Sequence, residues 1–132
     1  MGALSTAVAT LLAAAAALPF FVPAPPTLAA DHVVGGSVWC IPPSAGLYSA
    51  WAANTTFFVG DNLVFRFEMG FYDVVQVGRR EYEECTADDP YKIFRDAPAV
   101  VPLDAAGARY YVCSVANYCS LGLKFYVTVQ PR

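Results

Sequence analysis

The chain has 132 residues, which is enough for one domain of ordinary size. Its 11 acidic and 8 basic side chains give a net charge of -3 at pH 7. This mildly acidic balance argues against the broad basic surface that nucleic-acid binding requires, so nucleic acid is not an expected partner.

The first 30 residues contain no Lys, Arg, Asp, Glu or His, and the run from Ala3 to Val22 is almost entirely apolar. Prolines interrupt the end of this run, and small residues follow at Ala29 and Ala30. The pattern predicts a secretory signal over residues 1–30, cleaved near Ala29 or Ala30, and a mature domain over residues 31–132. No basic residue precedes the apolar run, so retention of the segment as a membrane anchor is the alternative.

The rest of the chain is compatible with secretion. An oxidising compartment suits its four cysteines, which are Cys40, Cys85, Cys113 and Cys119. They allow three complete pairings, and the sequence alone does not choose among them. Asn54 opens an Asn-Thr-Thr sequence, which is an N-glycosylation site in a secreted protein where it is exposed.

Period-two alternation predicts strands. Apolar residues recur at every second position over residues 63–67 and again over residues 123–129. Shorter runs rich in β-branched and aromatic residues cover 32–34, 56–59, 72–77, 100–103 and 109–113, with glycine or aspartate turns between them. Several short strands with frequent turns predict an all-β sandwich or barrel.

Helix is predicted only as one or two short turns, over residues 48–53 and 81–84. We expect Glu81, Glu83 and Glu84 to lie on a solvated loop, because no strand pattern sets their separation for acid–base catalysis. No serine stands in a GxSxG motif, and the chain has a single histidine, so an enzyme is not expected.

Motifs in a fixed order between residues 33 and 129 resemble the phytocyanin family of plant cupredoxins. They include Val34-Gly35-Gly36-Ser37 with Trp39, Phe58-Val59-Gly60-Asp61, Val74-Val75-Gln76-Val77, and Tyr110-Tyr111-Val112-Cys113 with Cys119 and Gly122. The resemblance implies a Greek-key β-sandwich of the cupredoxin type and a disulfide between Cys85 and Cys119. Cys40 and Cys113 would then be free thiols or form a second disulfide.

The resemblance also implies positions for the copper ligands. In the family the first ligand histidine precedes an Asp-Val or Asn-Val pair, and here Tyr72 stands at that place. Cys113 matches the ligand cysteine, Tyr118 stands five positions later where the second histidine is expected, and Leu123 occupies the axial position. Cys113 is therefore the only residue that matches the metal ligands of the family.

A type I copper centre uses two imidazoles, one thiolate and a weak axial ligand, so no cofactor is expected here, or copper if any metal binds. A site built from Tyr72, Cys113 and Tyr118 is the alternative, although phenolates favour harder ions than Cu(I). His32 is placed at the start of the first strand, where we expect a solvated side chain that replaces neither imidazole.

We therefore predict a secreted, monomeric and non-enzymatic domain that acts at the cell exterior on an extracellular protein or a cell-wall component. Membrane attachment would require retention of residues 1–30. Copper-dependent one-electron transfer, as in the family, is the first alternative. The second is a carbohydrate- or peptide-binding module that uses Phe71, Tyr72 and Tyr118.

Overall fold

A computed structural model of the chain describes residues 28–132. The predicted secretory signal over residues 1–30 lies outside the described residues, except for its last three positions. Within the described part the elements are, in chain order, β1 (Asp31–Val33), α1 (Leu47–Ala53), β2 (Phe57–Phe58), β3 (Asn62–Phe65), β4 (Val74–Val77), α2 (Arg79–Glu84), β5 (Lys92–Phe94), β6 (Ala99–Pro102), β7 (Gly107–Val112) and β8 (Lys124–Gln130).

The strands form two sheets, so the predicted all-β sandwich is confirmed. One sheet has the order β1-β3-β6, and the other has the order β2-β8-β7-β4-β5. The pairs β1–β3 and β2–β8 are parallel, whereas the remaining neighbours are antiparallel. Neither α1 nor α2 is longer than seven residues. Between residues 28 and 132, no helix has the length and apolar character needed to cross a membrane.

The core between the sheets follows from the alternation seen in the sequence. In β8, Phe125, Val127 and Val129 are buried, and the residues between them face outward. Aromatic rings fill the centre, where Trp39 lies 5.2 Å from Phe65 between ring centroids. The indole Nε1 of Trp39 donates a hydrogen bond of 2.9 Å to a backbone carbonyl, so the buried ring leaves no polar atom unpaired.

Most strand boundaries differ from the sequence prediction by one or two residues, and the cases of β1 and β5 have a clear physical reason. The first strand ends at Val33 because Gly35 and Gly36 have positive φ angles, and a short 3-10 turn replaces the extended chain. Strand β5 was not predicted, because it is a three-residue edge strand with little buried surface and no clear alternation. Short edge strands owe their conformation to the neighbouring strand, so their own residues carry a weak signal.

The short helical turn predicted over residues 81–84 is present as part of α2, so the solvated loop expected for Glu81, Glu83 and Glu84 is wrong. Glu83 and Glu84 are exposed, but Glu81 is only 9% exposed. Its carboxylate accepts hydrogen bonds from the backbone N–H groups of Gly78 at 3.4 Å and Asp89 at 3.0 Å. Glu81 is thus a capping residue, which accepts hydrogen bonds from backbone N–H groups at the start of α2 and in the loop after it.

Candidate functional site

The four positions that the resemblance assigns to copper ligands lie at one end of the five-stranded sheet. Tyr72 precedes β4, Cys113 follows β7, and Leu123 precedes β8. Because β7 is antiparallel to both β4 and β8, the end of β7 lies beside the starts of the other two strands. Tyr118 belongs to the loop between β7 and β8, and its ring centroid lies 5.6 Å from that of Tyr72.

Backbone hydrogen bonds set the shape of the loop that carries three of these positions. The N–H of Cys113 donates to the carbonyl of Leu123 at 3.1 Å, which closes the loop at its base. The N–H of Leu123 donates to the carbonyl of Tyr118 at 3.0 Å. Gly122 has a φ of 106°, and a Cβ at this position would lie 2.6 Å from the backbone of Ala45. The loop conformation therefore depends on glycine at this point.

Cys113 is held in apolar surroundings. It is 1% exposed, and it belongs to the same buried cluster as Leu123, against which the rings of Tyr72 and Tyr118 pack. Burial raises the pKa of the Cys113 thiol to about 11. At neutral pH the sulfur is therefore protonated, and a thiol is a poor metal ligand and a poor nucleophile.

Asp73, the residue after Tyr72, joins the start of β4 to the end of β7. It is buried, its Oδ1 accepts the backbone N–H of Ser114 at 2.7 Å, and its Oδ2 accepts the Ser114 hydroxyl. The carbonyl of the same residue accepts the Trp39 indole. These bonds hold Asp73, which follows Tyr72, against Ser114, which follows Cys113. The sequence analysis used Asp73 only as a motif marker, although a lone carboxylate directly before a buried strand is a usable signal for such a role.

The side chains at the four positions do not provide the donors of a type I copper centre. They supply one protonated thiol, two phenols and an aliphatic group, whereas the centre needs two imidazoles and a thiolate. Among residues 28–132, no three His, Cys, Asp or Glu side chains cluster in a way that could hold a metal ion.

His32 is far from solvated, so that prediction is wrong. Its side chain is 16% exposed, and its Nε2 lies 2.9 Å from Oδ2 of Asp61. The ring packs edge-on against Phe57, with 4.8 Å between centroids. Parallel pairing of β1 with β3 puts His32 opposite Leu63, in the sheet that carries none of the four ligand positions. The histidine is engaged in that sheet and supplies no imidazole to the pocket.

The disulfide implied by the resemblance is present in the structure. Cys85, the residue after α2, is bonded to Cys119 in the loop between β7 and β8, with 5.6 Å between the Cα atoms. Cys40 and Cys113 are free thiols, Cys40 half-buried and Cys113 buried. The structure therefore has the free thiols and not the second disulfide that was the other alternative for these two cysteines.

The end of the sandwich beside the pocket is aromatic. Phe71 is 58% exposed, and Tyr72 and Tyr118 are half-buried. The two tyrosine rings thus occupy the pocket partly and show part of their surface to solvent.

A two-sheet sandwich with a cysteine at the end of β7 and further ligand positions before β4 and β8 defines the cupredoxin class of folds. A family model described as "Plastocyanin-like domain" matches residues 39–123. The chain is 38% identical to early nodulin-like protein 15 from Arabidopsis thaliana, over 77% of this chain and 60% of that protein. It is 34% identical to stellacyanin from Toxicodendron vernicifluum, over 62% of this chain and 77% of that protein.

Solved structures agree with these relatives. The structure of cucumber stellacyanin with Cu2+ superposes with a TM-score of 0.74 at 33% identity, covering 80% of this chain and 99% of that one. The chain belongs to the phytocyanin family. It spans only 60% of early nodulin-like protein 15 and 52% of an Arabidopsis thaliana blue copper protein, which is little more than half of such relatives.

Proposed function

We propose that this chain is a secreted phytocyanin domain with a degenerate copper site, which acts through its surface and carries out neither electron transfer nor catalysis. The observation that supports the proposal is the donor set at the four ligand positions, where Cys113 is the single match. Without imidazole, Cu(II) and Cu(I) lose the ligands that make their interconversion easy. The partner would be an extracellular protein or a cell-wall component, met by the domain as a monomer, with Asn54 glycosylated.

The packing of the pocket supports the same proposal. The rings of Tyr72 and Tyr118 contact each other and pack on the core, so they fill space that two imidazoles and a metal would need. A metal would also have to displace the proton of Cys113, whose pKa is raised to about 11 by burial. Copper binding would therefore have to displace the tyrosine rings that occupy part of this space and to remove the proton of a buried thiol.

The test is the metal content and visible spectrum of the mature protein after exposure to Cu(II). We expect no stoichiometric copper and no intense thiolate-to-copper band. A gain-of-function variant sharpens the test: Tyr72→His, Tyr118→His and Leu123→Met together restore the family's ligand set around Cys113. This triple variant is expected to bind one copper and to turn blue, because the scaffold already places the four positions together.

A matched control uses two tyrosines outside the pocket. Tyr110→His with Tyr126→His introduces the same two imidazoles on the outer face of β7 and β8, where the rings are 5.8 Å apart between centroids. This variant should stay colourless. A blue wild-type protein would overturn the proposal and return electron transfer to first place. A colourless triple variant would overturn the assignment of the ligand positions.

A second candidate function is recognition of a carbohydrate or a peptide at the aromatic end. The exposed ring of Phe71 beside Tyr72 and Tyr118 favours it, because flat exposed rings stack on sugar and peptide groups. Phe71→Ala should abolish binding to a cell-wall oligosaccharide or peptide that the wild type retains. Tyr91→Ala, which removes another exposed aromatic ring elsewhere, should leave that binding unchanged.

A further inference from the structure

The buried carboxylate of Asp61 binds the backbone nitrogen of Ala30, near the start of the described residues. Asp61, in the turn between β2 and β3, is 1% exposed. Its Oδ1 accepts hydrogen bonds from the backbone nitrogen of Ala30 at 3.0 Å and from the guanidinium of Arg132. Its Oδ2 accepts from the backbone nitrogen of Phe58 at 3.0 Å and lies 2.9 Å from Nε2 of His32. Four donors thus converge on one side chain from three separate parts of the chain.

Both backbone polar groups of Ala30, its nitrogen and its carbonyl, form hydrogen bonds. While its nitrogen contacts Asp61, its carbonyl accepts the N–H of Asn62 at 2.9 Å. Leu28, Ala29 and Ala30 are all exposed, so exposure does not separate Ala30 from the residues before it. What distinguishes Ala30 is that both its backbone nitrogen and its carbonyl are hydrogen-bonded to the β2–β3 turn and β3.

The junction of Ala29 and Ala30 has the sequence pattern of a processing site. Signal peptidases favour small residues at the last and third-last positions of the signal, and cleavage after Ala29 places Ala29 and Thr27 there. Cleavage after Ala30 would instead place Leu28 at the third-last position. It would also remove both backbone bonds of Ala30 and leave the N–H of Asn62 without its acceptor.

We propose that the precursor is cleaved between Ala29 and Ala30, and that the new amino group of Ala30 forms an ion pair with the buried carboxylate of Asp61. This inference rests on the proposed secretion of the chain. A signal peptidase uses one water molecule to break the C–N bond. The water oxygen becomes part of the Ala29 carboxylate, and the Ala30 nitrogen leaves as an amine that takes up a proton at neutral pH.

The physical consequence is a stronger contact after cleavage than before it. In the precursor, Ala30 offers Asp61 one neutral amide N–H, whereas the mature chain offers an ammonium group at the same place. Charge-assisted hydrogen bonds are about twice as strong as neutral ones, and salt screens a pair with one buried partner less than a fully exposed pair. Processing therefore tightens the junction of β1 with the β2–β3 turn.

The first experiment is the intact mass and amino-terminal sequence of the protein secreted by a plant host. We expect a mature chain that begins at Ala30. A chain that begins at Asp31 or at another processed residue would overturn this inference and leave the proposed secretion standing. Retention of the whole apolar segment would contradict both the cleavage site and the proposed secretion. The copper measurements described above do not depend on where the chain is cleaved.

The second experiment measures the ion pair itself. Two forms of the folded domain are compared, one that begins at Ala30 and one that begins at Leu28. In the first form the nitrogen of Ala30 is the terminal ammonium group, and in the second it is a neutral amide N–H. At pH 7 the Ala30 form should melt at least about 4 °C higher. The difference should vanish above about pH 10, where the amino group is neutral. Equal melting temperatures at pH 7 would overturn the proposal.

Two substitutions complete this design. Asp61→Asn should remove the difference between the two forms, because the amide carries no charge. Asp31→Asn is the matched control, since Asp31 also lies beside the amino terminus but is exposed and contacts the side chain of Asn62. It should preserve the difference. If Asp61→Asn does not fold, the pH dependence of the two unsubstituted forms decides the question.

Discussion

At the scale of the single residue, Cys113 shows how surroundings determine chemistry. It stands where the resemblance to the family places the ligand cysteine, and it lies in the buried cluster that contains Leu123 and against which Tyr72 and Tyr118 pack. Burial raises its pKa to about 11, so it is thiolate less often at neutral pH than an exposed cysteine and reacts more slowly as a nucleophile. Cys40 has the same functional group but is half-buried.

The two thiols should therefore react at different rates. We expect Cys40 to be labelled by an aromatic disulfide reagent in the folded protein at pH 8, and Cys113 only after unfolding. Absorbance of the released thiolate measures both phases. Cys40→Ser should remove the fast phase, and Cys113→Ser should leave it intact. A fast phase that survives in Cys40→Ser would show that Cys113 is accessible and would weaken the account of a closed pocket.

At the scale of the element, α2 is attached to the outer face of the five-stranded sheet. Alternate residues of the strands point outward, and Val75, Val77 and Val112 form a second buried cluster on that face. The Cys85–Cys119 disulfide joins the end of α2 to the loop that carries Tyr118, and Lys124 donates a hydrogen bond of 2.9 Å to the carbonyl of Tyr82. The helix therefore supports the loop between β7 and β8.

Removal of this disulfide should destabilise the fold strongly. It closes a sequence separation of 34 residues, for which the loss of unfolded-state entropy corresponds to about 3–4 kcal/mol. Urea unfolding of a variant with both Cys85→Ala and Cys119→Ala measures this free energy. Cys40→Ala is the control and should cost less than about 1 kcal/mol, because this half-buried cysteine forms no disulfide. Similar losses in the two variants would contradict the role given to the bridge.

At the scale of the whole molecule, Asp61 joins the two sheets. The turn that contains it passes from β2 in one sheet to β3 in the other, and its carboxylate contacts His32 on β1, Phe58 on β2 and Arg132 after β8. Burial by itself would raise the pKa of Asp61. Hydrogen bonds from Ala30, His32 and Phe58 more than offset this effect and lower the pKa from 3.8 to about 2.

This shift predicts a loss of stability in acid. A carboxylate whose pKa is lower in the folded state stabilises the fold above its unfolded pKa, and the contribution disappears as pH falls through the folded value. Between about pH 4 and pH 2 the free energy of unfolding should fall by about 2 kcal/mol from this group. Denaturant unfolding at several pH values measures the slope.

Two variants test the assignment of that slope to one residue. In Asp61→Asn the fall should be smaller by about the same amount, on a lower overall stability, because its side chain does not titrate. Asp88→Asn removes an exposed carboxylate and should reproduce the wild-type pH profile. A wild-type slope in Asp61→Asn would show that other carboxylates control the acid transition.

The amino-acid sequence by itself determined the all-β class and the core face of β3 and β8, and its resemblance to the family predicted the pairing of Cys85 with Cys119. These features depend on local alternation and on the order of short motifs, both of which can be read along the chain. It did not predict β5, and it misplaced Glu81 and His32.

Only the tertiary structure decided those cases, because each depends on a partner distant in sequence or on hydrogen bonds made by the backbone of a loop. β5 becomes a strand by pairing with β4, Glu81 is buried by capping α2 and binding the N–H of Asp89, and His32 is enclosed by Asp61 and Phe57. The protonation of Cys113 and the contact of Ala30 with Asp61 have the same origin. These side chains become buried and hydrogen-bonded only when the two sheets pack together. Their burial and pKa therefore cannot be predicted from any single segment of the sequence.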